Sequence, residues 1–229
     1  MIYRTSVFFI LLLCFTPLAV AQETVFNVPS GDILDRGKLY TELDFTYQHS
    51  QSLAGFTPRV VVGLGHRIEA GVNITGVSTA DPVQTTLTPT VKWKAYDGGK
   101  NGWAFLAGDD VFIPVQNRSY NAGNYLYAEF AKAWKSGLRV TFGAYHFTRH
   151  VVADAQRAGG QFAFEQPLSK RVTFAVDWYT GSHTSGFVTP GLIIKATSKL
   201  TLYGTYQIGN RGASRGNHQA LAELGWNPN

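Results

Sequence analysis

From Gly37 onward the chain is a series of segments, each about ten residues long, in which apolar and polar side chains alternate with a period of two. Successive side chains of a strand point to opposite faces, so this alternation predicts β-strands with one apolar and one polar face. The clearest is 39–48, where Leu39, Thr41, Leu43, Phe45 and Tyr47 share one face while Tyr40, Glu42, Asp44, Thr46 and Gln48 share the other. Similar patterns run over 57–65, 67–75, 85–96, 103–115, 125–134, 138–148, 160–167, 172–181, 187–196, 200–208 and 218–226, which gives about twelve strands. Pro89 and Pro190 fall inside two of them, each removing a ladder donor. Asp109-Asp110 puts one carboxylate on the apolar face in either phase, so a bulge or an early end is expected there.

The connections alternate as well. Short turns at 65–66, 97–102, 135–137, 168–170 and 197–199 are interleaved with longer polar loops at 49–56, 76–84, 116–123, 149–158 and 210–217. Short turns at one end and long loops at the other are the habit of a transmembrane up-and-down antiparallel barrel, and a soluble sandwich has no reason to segregate them. Alternation alone does not say which face meets a core. Tryptophan placement does: Trp93, Trp103, Trp134 and Trp226 lie beside short turns or the C-terminus, on the apolar face, and Trp178 lies near the opposite end of its strand. That pattern predicts an aromatic girdle at both membrane interfaces, with the polar face turned to a lumen.

Composition agrees with an all-β chain: aromatic residues make up 14%, charged residues only 15%, and long helix-favouring runs are missing. Residues 1–21 read as a secretory signal, with Arg4, an apolar run and Ala19-Val20-Ala21 before an expected cleavage at Gln22. Cys14 lies within that leader, leaving the remainder without cysteine and so without disulfides. Residues 22–36 carry Val25, Phe26, Val28, Ile33 and Leu34 and are read as an N-terminal periplasmic segment, either an extension or a small plug; 37–229 is the barrel. The net charge of +5 is spread along the chain without a basic stripe, so no nucleic acid is expected.

The chain as a whole resembles the bacterial outer-membrane β-barrel superfamily. It falls in the twelve-strand size class that includes the nucleoside channel, acidic-oligosaccharide porins and outer-membrane phospholipase A. The resemblance rests on the strand pattern, not on a motif, so it implies architecture rather than site residues. It places the chain in the outer membrane of a Gram-negative-type bacterium, with membrane lipid and the barrel-insertion machinery as partners. Such barrels usually end on an aromatic residue, and here Asn227-Pro228-Asn229 follow Trp226.

The expected lumen lining is Glu42, Asp44, Glu69, Glu129, Glu165, Asp177 and Glu223 against Arg59, Lys92, Lys94, Arg139 and Lys195. Ionisable groups away from bulk water must be paired or wetted, so these residues either line a narrow aqueous pore or knit a closed barrel. Tyr125, Tyr127, Tyr145, Tyr179 and Tyr203 are expected to point inward beside them. A passive, porin-like channel for small solutes is the preferred reading, with a closed structural or receptor barrel beside it. The enzymatic alternative is a lipid hydrolase: His183 and Ser185 have the His-x-Ser spacing, similar to that of outer-membrane phospholipase A, but Gly186 follows where that family has asparagine. No cofactor motif is present, and the six histidines form no metal-ligand spacing.

Overall fold

The computed structural model describes residues 22–81, 83–116, 122–152 and 156–228. The leader 1–21 with Cys14, Asn229 and parts of three of the long loops lie outside them. Among the described residues there are thirteen strands: β1 (Leu39–Gln48), β2 (Leu53–Gly65), β3 (Ile68–Thr75), β4 (Val77–Ser78), β5 (Thr86–Asp97), β6 (Trp103–Pro114), β7 (Gly123–Ala133), β8 (Arg139–Phe147), β9 (Ala158–Pro167), β10 (Val172–Tyr179), β11 (Phe187–Lys195), β12 (Leu200–Gly209) and β13 (Gln219–Trp226). Twelve pair in antiparallel order around a closed sheet, because β1 bonds both to β2 and to β13. The two-residue β4 only extends the ladder beside Gly55 and Phe56 of β2. Among the described residues, closure leaves none of the twelve wall strands at a free edge.

The twelve expected strands are the twelve that form the wall, with shifts of a few residues at their ends. The largest shift is in β2, which begins at Leu53, so the first connection is a single 3-10 turn at His49–Gln51 and not a long loop. Short-turn chemistry is plainest between β2 and β3, where His66 and Arg67 both hold positive φ, the backbone that a two-residue hairpin of matching twist demands.

Each proline opens the ladder on one side only. Pro89 stays in register with Val72 of β3, while pairing to β6 skips from Leu87↔Ile113 to Thr90↔Asp110. Pro190 stays opposite Val176 of β10, while pairing to β12 skips from Val188↔Ile208 to Gly191↔Thr205. Asp109-Asp110 behaves differently from expectation: β6 neither bulges nor ends there, and runs on to Pro114. Asp110 takes the inner face opposite Thr90, while Asp109 sits on the outer face opposite Val91, accepting a hydrogen bond from Asn124 Nδ2 at 3.2 Å. The register shift lies in the facing strand, between Lys94 and Tyr96.

The two faces are inverted relative to a water-soluble β protein. Leu43, Val60, Leu64, Val91, Leu126, Phe130, Phe162, Leu192, Ile208 and Leu224 are exposed on the outside, whereas Glu42, Asp44, Glu69, Lys92, Glu129, Glu165, Asp177 and Glu223 are buried inside.

The core is completed by the segment that precedes β1. Val25, Phe26 and Val28 are buried in one cluster with Tyr125, Tyr127, Tyr145, Phe147, Tyr179, Ile193, Tyr203 and Leu221 from the wall. Residues 22–35 are therefore a plug inside the barrel and not an extension outside it. They form a small hairpin, with Val25 N–H donating to Val28 O at 2.8 Å, Ser30 N–H to Glu23 O at 2.9 Å and a bridge between Thr24 and Pro29. The return arm leaves along β2 at Gly63, where a Cβ would lie 2.1 Å from Asp35 O and 2.5 Å from Leu34 O. Gly63→Ala is accordingly expected to lift this arm off the wall and to lower stability by about 1–3 kcal/mol, the usual cost of overpacking. The shift in unfolding midpoint in urea-treated vesicles measures it.

Candidate functional site: the lumen and its plug

The charged inner residues are cross-strand neighbours. Glu42 faces Arg59, Glu69 faces Lys92 and Arg139 faces Glu165 in the ladders. Directly opposite, unlike charges stabilise a sheet, so the sequence that builds the wall also builds its ion pairs. Lys92 Nζ lies 2.8 Å from Glu69 Oε1, and Arg139 binds the Glu165 carboxylate with Nε at 2.9 Å and with its second terminal nitrogen. Lys94 is half-buried, 3.8 Å from Asp97, and Lys195 lies opposite Thr201. All twelve expected lining residues thus take the inner side of the wall. The five tryptophans take the outer side, and Lys132 Nζ stands 5.7 Å from the Trp103 ring and 5.8 Å from the Trp134 ring.

What sequence reasoning missed is the other half of these contacts, which comes from the plug. Asp177 on β10 collects the hairpin tip: its Oδ2 accepts the backbone N–H groups of Phe26 at 3.0 Å, Asn27 at 2.5 Å and Val28 at 2.9 Å, and its Oδ1 accepts Asn27 Nδ2 at 3.2 Å. Three successive amides converging on one carboxylate form a small anion nest, with the wall supplying the anion. Asn27 also reaches Thr189 Oγ1 at 2.9 Å and accepts from Gln207 Nε2 at 2.7 Å. Lower down, Lys92 donates to Glu23 O at 2.9 Å, and Leu34 N–H donates to Glu69 at 2.7 Å. Arg59 lies 3.3 Å from Glu23, and Arg139 lies 2.6 Å from Asp32. Burial pushes the Glu23 carboxyl up, against the pull of Arg59 and Lys92. Burial would raise Asp32 too, but Arg139 outweighs it and holds that carboxyl below its ordinary value. No charge count in the sequence pointed to Glu23 and Asp32, because the wall's carboxylates already outnumber its cations and the plug adds two more to the same Arg59 and Arg139.

The inward tyrosines form an aromatic wall. Tyr125 stacks on Tyr127 and Phe147 with ring centroids 5.1 and 4.9 Å apart, and Tyr179 meets Tyr125 and Tyr145 edge-on. A chain of polar contacts continues from the plug: the Tyr179 hydroxyl is 3.0 Å from Asn27 O and 2.7 Å from the Tyr125 hydroxyl, which donates to Gln161, which donates to Glu129. Beside this wall a cavity of about 330 Å³ remains, with Asp110, Tyr125, Tyr127, Gln207 and Gln219 among its lining and Phe26 and Asn27 of the plug contributing to it.

His183 and Ser185 are close in the loop after β10 but do not form a catalytic pair. His183 Nδ1 accepts the backbone N–H of Ser185 at 3.2 Å, so Nε2 carries the proton and donates to the Tyr145 hydroxyl at 2.6 Å. Tyr145 in turn donates to Thr180 O. Both nitrogens are spent, and neither lone pair remains to take a proton from Ser185 Oγ. Burial also holds the His183 pKa below its ordinary value.

No family model matches the chain, and no curated protein matches it. Among solved structures, the NanC porin superposes with a TM-score of 0.60 at 12% identity, over 81% of this chain and 97% of its own. The KdgM porin, solved in complex with disordered oligogalacturonate, gives 0.55 at 12% identity, over 81% and 96%. Outer membrane phospholipase A from Escherichia coli gives only 0.48 at 13% identity, over 84% and 90%. The chain therefore has the fold of these solved porins: a closed, antiparallel, up-and-down β-barrel, here with twelve strands in the wall.

Proposed function

We propose that this chain sits in a bacterial outer membrane as a porin-like barrel that passes small polar solutes, with the 22–35 plug setting the width of the path. The observation that carries the reading is the inverted wall: an apolar outer face and a charged inner face around a cavity of about 330 Å³. Lipid tolerates a sheet only when it is closed and apolar outside, and a polar interior suits a path for water and small polar solutes. The tryptophans support the same reading, since Trp93, Trp103, Trp134 and Trp226 occupy the short-turn end of the wall and Trp178 the loop end, as interfacial girdles do. Lys132 over two of these rings fits a headgroup-level cation. The occupied His183 nitrogens weigh against lipid hydrolysis.

Single-channel recording of the purified protein in planar bilayers tests the proposal. Small, solute-dependent conductance steps are expected. Absence of steps from both the wild type and a variant lacking residues 22–34, each confirmed folded by its heat-modifiable gel migration, would overturn it.

A lipid environment also makes Asp109 a liability, because it holds a carboxylate on the outer face with Asn124 donating to one oxygen and no hydrogen-bond donor among the described residues for the other. Replacing both by valine is expected to stabilise the barrel in lipid vesicles by about 1–2 kcal/mol, somewhat less than the cost of a lipid-facing Lys or Arg. The temperature of the heat-modifiable shift reads this out.

A further inference from the structure

Where β1, β2 and β13 meet at the closure of the barrel, the wall gathers carboxylates in excess of its cations. Asp44 lies directly opposite Glu223, and Glu42 opposite Arg59 and Gly225. Oxygens of Glu42, Asp44 and Glu223 lie within 4.8 Å of one another, and all three side chains are buried. Arg59 is the cation that reaches them, and it is shared: it lies 3.3 Å from Glu42, 3.1 Å from Asp44 and 3.3 Å from Glu23 of the plug. Three carboxylates therefore share one guanidinium, with Glu223 beside them.

The use of the individual oxygens is more telling than the count. Glu42 Oε2 accepts from the Tyr40 hydroxyl, and Asp44 Oδ2 from Arg59 at 3.1 Å. Glu42 Oε1, Asp44 Oδ1 and both oxygens of Glu223 have no hydrogen-bond donor. Glu223 is 3% exposed and aims an entirely undonated carboxylate at the other two. A buried carboxylate without hydrogen-bond donors is costly, which favours a ligand that brings positive charge. Two oxygens on opposite sides of one hard cation, each bonded at roughly 2.4 Å, stand about 4.8 Å apart. With every pair of these oxygens within 4.8 Å, one ion can reach all three carboxylates.

We propose that Glu42, Asp44 and Glu223 bind one divalent cation of the calcium type at the β1–β13 closure. All-oxygen, carboxylate-rich ligation with flexible spacing suits Ca²⁺ better than a metal that wants nitrogen or sulfur. The ion offsets the excess negative charge and ties the first strand to the last, whether or not the barrel conducts. Tyr40 and Tyr203 stand beside the site, their hydroxyls 3.4 Å apart, and supply a spectroscopic handle.

The test is tyrosine-sensitised Tb³⁺ luminescence of the purified full chain in phosphate-free detergent, with Ca²⁺ as competitor. One Tb³⁺ per chain, displaced by Ca²⁺ and weakened at least tenfold in Glu223→Gln, is the expected result. Glu42→Gln serves as a second variant should the first not fold, folding being read from gel migration. Wild-type protein that gives no stoichiometric emission, or emission that a folded variant retains in full, overturns the proposal and leaves bound protons as the balancing charge.

Discussion

Asp177→Ala raises single-channel conductance several-fold while leaving the barrel folded: this is the expected result with the largest functional effect. Asp177 receives three backbone N–H groups of the hairpin tip and the Asn27 side chain, all at 2.5–3.2 Å. Alanine leaves those amides in place without an acceptor, and each orphaned buried donor costs about 1–3 kcal/mol. The remaining holds on the tip, Gln207 and Thr189 on Asn27 and the Tyr179 hydroxyl near its carbonyl, do not offset three such losses. The tip should therefore leave its seat and open the upper lumen. Asp177→Asn keeps one uncharged acceptor and is expected to fall between. Planar-bilayer recordings of the three proteins decide it, and equal conductance across a conducting wild type and both variants would show that the tip does not limit the path.

The largest effect on stability is expected at Lys92. Its ammonium is buried between Glu69 at 2.8 Å and the plug carbonyl of Glu23 at 2.9 Å. Lys92→Met strands the Glu69 carboxylate, and breaking a buried pair from one side costs about 3–5 kcal/mol. The double change Lys92→Met with Glu69→Gln removes the stranded charge yet keeps an oxygen for Leu34 N–H, so it should recover a good part of that loss. Urea unfolding in lipid vesicles, followed by tryptophan fluorescence, compares the two. A double variant no more stable than the single one would mean that the plug contacts of Lys92, and not its pairing with Glu69, carry the energy.

The wall was legible in the sequence because each strand repeats one simple rule, an apolar residue out and a polar residue in, and a one-residue error would have inverted every side chain. Placement of the inner residues followed from the same rule. Three things were not legible, each for its own physical reason. The start of β2 was hidden because Gly55 interrupts the alternation without interrupting the pairing. The outer placement of Asp109 was masked by the expectation that a strand will bulge before exposing a carboxylate on that face; Asn124, fifteen residues away, is what it meets there. The plug was ambiguous because its hold on the barrel is made by backbone amides meeting one aspartate, and backbone amides leave no trace in a sequence. For the same reason the spacing of His183 and Ser185 suggested chemistry that the tautomer, set by Ser185 N–H and Tyr145, does not supply.

The plug also fixes an order of assembly. Its tip is bound by Asp177 across about 150 positions of sequence, and Asn27 by Gln207 across 180. Contacts so distant form only after the intervening chain has been ordered, since loop closure must precede any return from the contact. The hairpin tip is therefore seated only once β10 and β12 stand in place to receive it. The earliest described residues of this chain are thus among the last to find their partners.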